Sequence, residues 1–118
     1  MKWLVGRFYY ALCGIKEMLK DCSIALQCFF SVCVFILATI MHCTLQEWFW
    51  IVLTVTLIIV GETFNSCIEG CVDYISLERN PRAKRIKDMA AGAMFILFLF
   101  SLFVGLNIFV PKIICLLK

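Results

Sequence analysis

Charge is scarce in this sequence, and its absence is concentrated in long runs. No Asp, Glu, Lys or Arg occurs in residues 23–43, 48–61 or 89–110. Only 16% of the 118 residues are charged and 64% are hydrophobic, with a mean hydropathy of +0.99. A soluble domain of this size has too much surface for its volume to hide so many apolar side chains. A soluble globular fold is therefore excluded, and a small membrane protein is implied. Histidine is nearly absent as well: His42 is the only one, and none of the eight cysteines (13, 22, 28, 33, 43, 67, 71 and 115) forms a C-x-x-C pair. That argues against the common zinc sites. Most of the cysteines lie in apolar runs, where they act as small hydrophobes that let helices approach closely. Proline occurs only twice, and no repeat, low-complexity tract or linker divides the chain, so residues 1–118 read as one domain. The first twenty residues lack a compact apolar core and carry Lys2, Arg7, Lys16, Glu17 and Lys20. No cleavable signal peptide is expected there.

The uncharged runs set the number of spans. Residues 23–43 cover roughly 30 Å at about 1.5 Å per residue, the thickness of a bilayer core. Residues 89–110 are a second such run, closed by Pro111, which removes a helix hydrogen bond. The middle run, 48–61, covers only about 21 Å, so its helix must continue beyond Glu62 to cross. The expected architecture is an all-α membrane protein. It comprises an interfacial amphipathic helix (1–21), three transmembrane helices (23–43, 47–76 and 84–110) and a loop at 77–83. In the first helix Trp3, Leu4, Phe8, Leu12, Ile15 and Leu19 form the lipid-facing set. Pro81, after Asn80, is tolerated in the first turn of the last helix.

Basic residues orient these spans. Arg79, Arg82, Lys84, Arg85 and Lys87 fall in one loop, and four more lie near the N-terminus, whereas Thr44 to Glu47 has none. The positive-inside rule puts the N-terminus and the 77–88 loop in the cytoplasm, with Trp48 and Trp50 at the outer interface.

Against this apolar background Glu62, Asn65, Glu69 and Asp73 stand out. On a helix they fall within roughly 80° of one another, a stripe about 16 Å long. An ionisable group at membrane depth costs about 2.5–3.5 kcal/mol, so such groups usually serve a site. Glu62 is expected just inside the membrane, with Glu69 and Asp73 emerging toward water. Across from them in sequence lies Lys84-Arg85-Ile86-Lys87-Asp88. Acidic groups for Mg²⁺, lysine for phosphate and a recessed carboxylate as base suit phosphoryl transfer. The same carboxylates suit a proton or cation path. The basic loop also suits a topology signal binding anionic lipid, and Asn65 suits interhelical glue. Composition and spacing leave a kinase and a small oligomeric transporter both open.

The segment Glu62-Thr-Phe-Asn65-Ser-Cys-Ile68-Glu69-Gly-Cys-Val72-Asp73 resembles the E-x-x-N-[ST]-[AC]-I-E-x-x-V-D signature of the prokaryotic diacylglycerol kinase family, which includes undecaprenol kinases. Lys87-Asp88-Met-Ala-Ala-Gly-Ala93 is similar to that family's K-D-x-[AG]-[AS]-[AG]-A. Phe8-Tyr-Tyr10-Ala11-Leu-Cys-Gly14-Ile15 resembles its F-x-Y-A-x-x-G-[IL]. The resemblance implies a lipid kinase of the bacterial inner membrane, usually a homotrimer, with neither a P-loop nor a protein-kinase motif. It implies diacylglycerol or undecaprenol as lipid substrate, ATP as co-substrate, Mg²⁺, and no nucleic-acid partner. By the same resemblance Glu62 is the catalytic base, Glu69 binds Mg²⁺ with the nucleotide, and Asn65 and Asp73 support them. Tyr10, Glu78, Arg79, Asn80, Lys87 and Asp88 match positions that contact ATP. The turn Glu78-Arg-Asn-Pro81-Arg-Ala-Lys84 leans toward the undecaprenol branch.

One position departs from the family. A glutamate that completes its metal site falls eight residues after the glycine of the first segment, and here that position is Cys22. Asp21 precedes it and is the candidate replacement, since a carboxylate suits Mg²⁺ far better than a thiol. The alternative is a site one ligand short, in a degenerate and slow kinase.

Overall fold

A computed structural model describes residues 1–75 and 80–118. All regular structure among them is helical: α1 (Lys2–Lys20), α2 (Cys22–Ile40), α3 (Leu45–Ile75) and α4 (Pro81–Leu117). The all-α class expected from the sequence is observed, and α2, α3 and α4 are each long and apolar enough to cross a membrane.

Several helix boundaries have a local cause. α1 and α2 are separated by Asp21 alone, whose backbone is extended (φ −75°, ψ 126°). Its carboxylate accepts hydrogen bonds from the Ser23 and Ile24 amides at 2.9 and 3.4 Å, satisfying two donors that a helix start leaves free. α3 begins with a reciprocal cap: the Glu47 amide donates to Thr44 Oγ1 (3.2 Å) and the Thr44 amide to Glu47 Oε1 (3.0 Å). Asn80 caps α4 by accepting from the Arg82 amide at 2.9 Å, with Pro81 in the first turn.

Three helix ends differ from the sequence expectation by three residues or more, the first being the start of α4, which Asn80 caps at Pro81 inside the expected 77–83 loop. α2 stops at Ile40, three residues short of Cys43, because His42 adopts a left-handed conformation (φ 54°). The His42 amide bonds to the Thr39 carbonyl and the Cys43 amide to that of Ala38, the paired pattern that closes many helices on glycine. Histidine pays a steric penalty there of about 1 kcal/mol that glycine avoids. Glycine also adds freedom to the unfolded chain, so His42→Gly is expected to raise thermal stability by less than that amount, read as a small upward shift of the unfolding midpoint in detergent micelles. At the other end Pro111 does not close α4, which continues to Leu117. The ring removes one amide from the ladder and leaves the remaining bonds in place. Beyond it, Lys112 is tied to Glu47 by a 3.1 Å ion pair, which holds the segment against the start of α3.

Packing is uneven along the bundle. α3 and α4 form the most extensive helix pair, α2 packs on α3, and α1 on α2. Ala38, Ile51, Val104 and Ile108 make the buried cluster, surrounded by Phe35, Trp48 and Phe100, toward the Glu47–Lys112 end. Further along, α3 approaches α4 through Gly61: a Cβ there would lie 2.5 Å from Leu97 Cδ1 and 2.9 Å from Met94 Sδ. Most other large apolar side chains face outward, Phe29 and Phe103 among them. Such an exterior is stable against lipid or neighbouring helices, not against water. The single chain is a slab of 57 × 44 × 20 Å.

Candidate functional site

The second half of α3 carries the polar stripe. Its helical rise sets Glu62, Asn65, Glu69 and Asp73 along one face, spaced by about one turn. Glu62 is partly buried, while Glu69 and Asp73 are exposed. Asn65 Nδ2 donates to Glu69 Oε1 at 3.3 Å, which restrains that carboxylate. The carbonyl oxygen of the Asn65 amide is buried without a hydrogen-bond partner, an acceptor left open beside Glu62. Asp73 forms an ion pair with Lys87 of α4.

Asp21 faces this region from the junction of α1 and α2. Asp21 shares a cavity wall with Thr63, Ser66 and Cys67, which flank Glu62 and Asn65 on α3, so stripe and junction adjoin within one chain. Between them and α1 lies a cavity of about 500 Å³, lined in part by Gly14, Glu17, Asp21, Thr63, Ser66 and Cys67. Sequence reasoning did not single out Glu17, Thr63 or Ser66. The small polar residues flanking the stripe were the available signal, and Gly14 leaves room opposite them. Thr63 donates to the Ile59 carbonyl at 2.8 Å and so spends its hydrogen on its own helix.

The other candidate positions are more dispersed. Tyr10 packs edge-on against Tyr9 at 5.8 Å and borders a groove lined by Met1 and residues of α1. Asn80 caps α4. Asp88, next to Lys87, is exposed. Glu78 and Arg79 lie outside the described residues. Cys22 is exposed on the first turn of α2, while the carboxylate of Asp21 is turned back as the cap of that helix.

Among the described residues no three His, Cys, Asp or Glu side chains converge as a closed metal cage. Mg²⁺ is commonly held by one or two carboxylates, with phosphate and water completing the octahedron. Carboxylate oxygens at Glu69 and Asp21 are hard donors of the right kind, whereas the Cys22 thiol is not.

Residues 9–109 match the model of a family described as prokaryotic diacylglycerol kinase. The chain is 36% identical over 80 residues to an undecaprenol kinase of Bacillus subtilis, covering 68% of this chain and 65% of that protein. It is 38% identical over 69 residues to a diacylglycerol kinase of Helicobacter pylori, covering 58% of this chain and 54% of the relative. A diacylglycerol kinase from another strain of that species is 33% identical over 99 residues, covering 80% of this chain and 77% of the relative. The chain thus spans less than two thirds of the first two curated relatives. No solved structure matches it.

Proposed function

Because the chain belongs to the prokaryotic diacylglycerol kinase family, we propose that it transfers the γ-phosphoryl group of ATP to the hydroxyl of a membrane lipid alcohol, diacylglycerol or undecaprenol. The observation that carries this reading is the α3 stripe: a partly buried carboxylate, Glu62, on the same helix face as two exposed acids, one of them paired with a lysine of α4. Phosphoryl transfer asks the protein mainly to position reactants and balance charge. As the new O–P bond forms, the lipid oxygen must lose its proton, and Glu62 is the acceptor. The bond to the β-phosphate oxygen breaks in line with the incoming oxygen, and ADP carries the electron pair away. Asn65 holds Glu69 and offers its open carbonyl oxygen beside Glu62. Glu69 and Asp21 would hold Mg²⁺, which supplies neutralisation of the phosphate oxygens when bound. Lys87 and Asp88 serve the nucleotide, together with Tyr10, Asn80 and the 78–79 positions.

The arrangement operates in a bacterial cytoplasmic membrane, with α2, α3 and α4 crossing it and the Lys87 end in the cytoplasm, where ATP is. The basic residues clustered at that end support this orientation. A homotrimer fits the outward-facing apolar surface.

Purified protein in mixed micelles, given γ-labelled ATP, Mg²⁺ and each lipid separately, is expected to label at least one. Label in neither would end the kinase reading. Glu69→Gln is expected to raise the Mg²⁺ concentration needed for half-maximal rate by at least about tenfold, since even an outer-shell loss costs about 10–100-fold in metal affinity. A Mg²⁺ titration at saturating ATP measures this.

A further inference from the structure

Two ion pairs tie α3 to α4 among the described residues: Glu47–Lys112 near one end and Asp73–Lys87 near the other. They sit in different surroundings. The Glu47 and Lys112 side chains are 24% and 22% exposed, whereas Asp73 and Lys87 are 64% and 38% exposed. So exposed a pair adds little to stability, and holding the helices together is a weak account of it. Its place is more informative. Asp73 lies one turn beyond Glu69, about 6 Å along the axis. It therefore brings the Lys87 ammonium to the open end of the stripe. A lysine is a compact charge on a flexible four-carbon stem, and free in water it would sweep a wide volume. Asp73 confines it.

We propose that Asp73 is a positioning residue. It holds the Lys87 ammonium against the stripe so that a nucleoside triphosphate is received between the Glu69 carboxylate and a fixed cation. An ammonium has three donors; one on Asp73 leaves two for phosphate oxygens, so the nucleotide need not displace the carboxylate. This rests on the kinase reading and assigns Asp73 a role within it.

The test uses the full chain in mixed micelles. Asp73→Asn is expected to raise the Michaelis constant for ATP about fivefold, the worth of a good exposed pair, with turnover at saturating ATP little changed. Asp73→Glu should restore most of the loss. Asp73→Asn combined with Lys87→Gln should match Lys87→Gln alone, because the aspartate acts through the lysine. Exchanging the charges, Asp73→Lys with Lys87→Asp, should restore the pair with the unfolding midpoint little changed, but leave ATP affinity low. An unchanged Michaelis constant in Asp73→Asn, additive effects in the double variant, or recovered ATP affinity in the exchanged variant would each overturn the proposal. If the unsubstituted protein phosphorylates neither lipid, the kinase reading falls separately. Calorimetric titration with ATP, which needs no turnover, then decides on Asp73 by the same comparisons.

Discussion

Glu62→Gln is expected to lower lipid phosphorylation by about 10²–10⁴-fold, the usual contribution of a positioned general base. Glutamine keeps the shape and the hydrogen-bonding reach of glutamate but cannot take up the proton of the lipid hydroxyl. The substitution removes no core contact, since Glu62 lies on the polar face of α3 outside the buried cluster. Removing a charge from membrane depth also favours insertion. The unfolding midpoint should therefore stay or rise while the rate collapses, and this divergence marks a chemical role. Initial rates at saturating ATP and lipid, with a thermal melt of the same preparation, measure both. Turnover within a few fold of the unsubstituted protein would remove Glu62 as the base.

The second large effect is expected next door, at a residue with no chemistry. Gly61→Leu places a branched side chain where even a Cβ would meet Leu97 and Met94 inside van der Waals contact. Overpacking of this kind costs about 1–3 kcal/mol in a well-packed interior. The cheapest relief is to push α4 away from α3, which carries Glu62 and the stripe out of register with Lys87. A misplacement of about 1 Å can cost on the order of 10²-fold in rate, so activity should fall by about that factor with Glu62 chemically intact. Gly61→Ala should be much milder, because the atoms it meets are the far ends of flexible side chains. The pair of variants, compared by initial rate and melting midpoint, separates spacing from chemistry. Equal activity in both would show that the α3–α4 distance does not matter to the site.

The helices were legible because three long uncharged runs are set off by short charged segments, and physics offers little else for such runs to do. Their ends were less so. Pro111 reads as a stop, yet a helix held on both sides by its own ladder, and by Lys112 on Glu47, runs through it. His42 gave no warning either, since a left-handed residue is normally announced by glycine or asparagine. The break at Asp21 was readable in principle: an aspartate just before an apolar run is a common start signal. The stripe on α3 followed from helical spacing alone. Its pairing with Lys87 and its proximity to Asp21 did not, because both depend on how separate helices are set against one another, which no single-helix periodicity encodes.

The two ends of the α3–α4 pair are not equivalent mechanically. Near Glu47 and Lys112 the helices are clamped by an ion pair and the buried cluster. Asp73 lies about 39 Å from Glu47 along α3, at about 1.5 Å per residue. The pair is shaped like a tuning fork gripped at its base. One degree of angular play at the grip moves Asp73 by about 0.7 Å, comparable to the tolerance of a reacting geometry. Beyond the close approach at Gly61 the two helices are tied once more where Lys87 meets Asp73, at the position of greatest leverage. There a weak contact governs more motion than a strong one nearer the base.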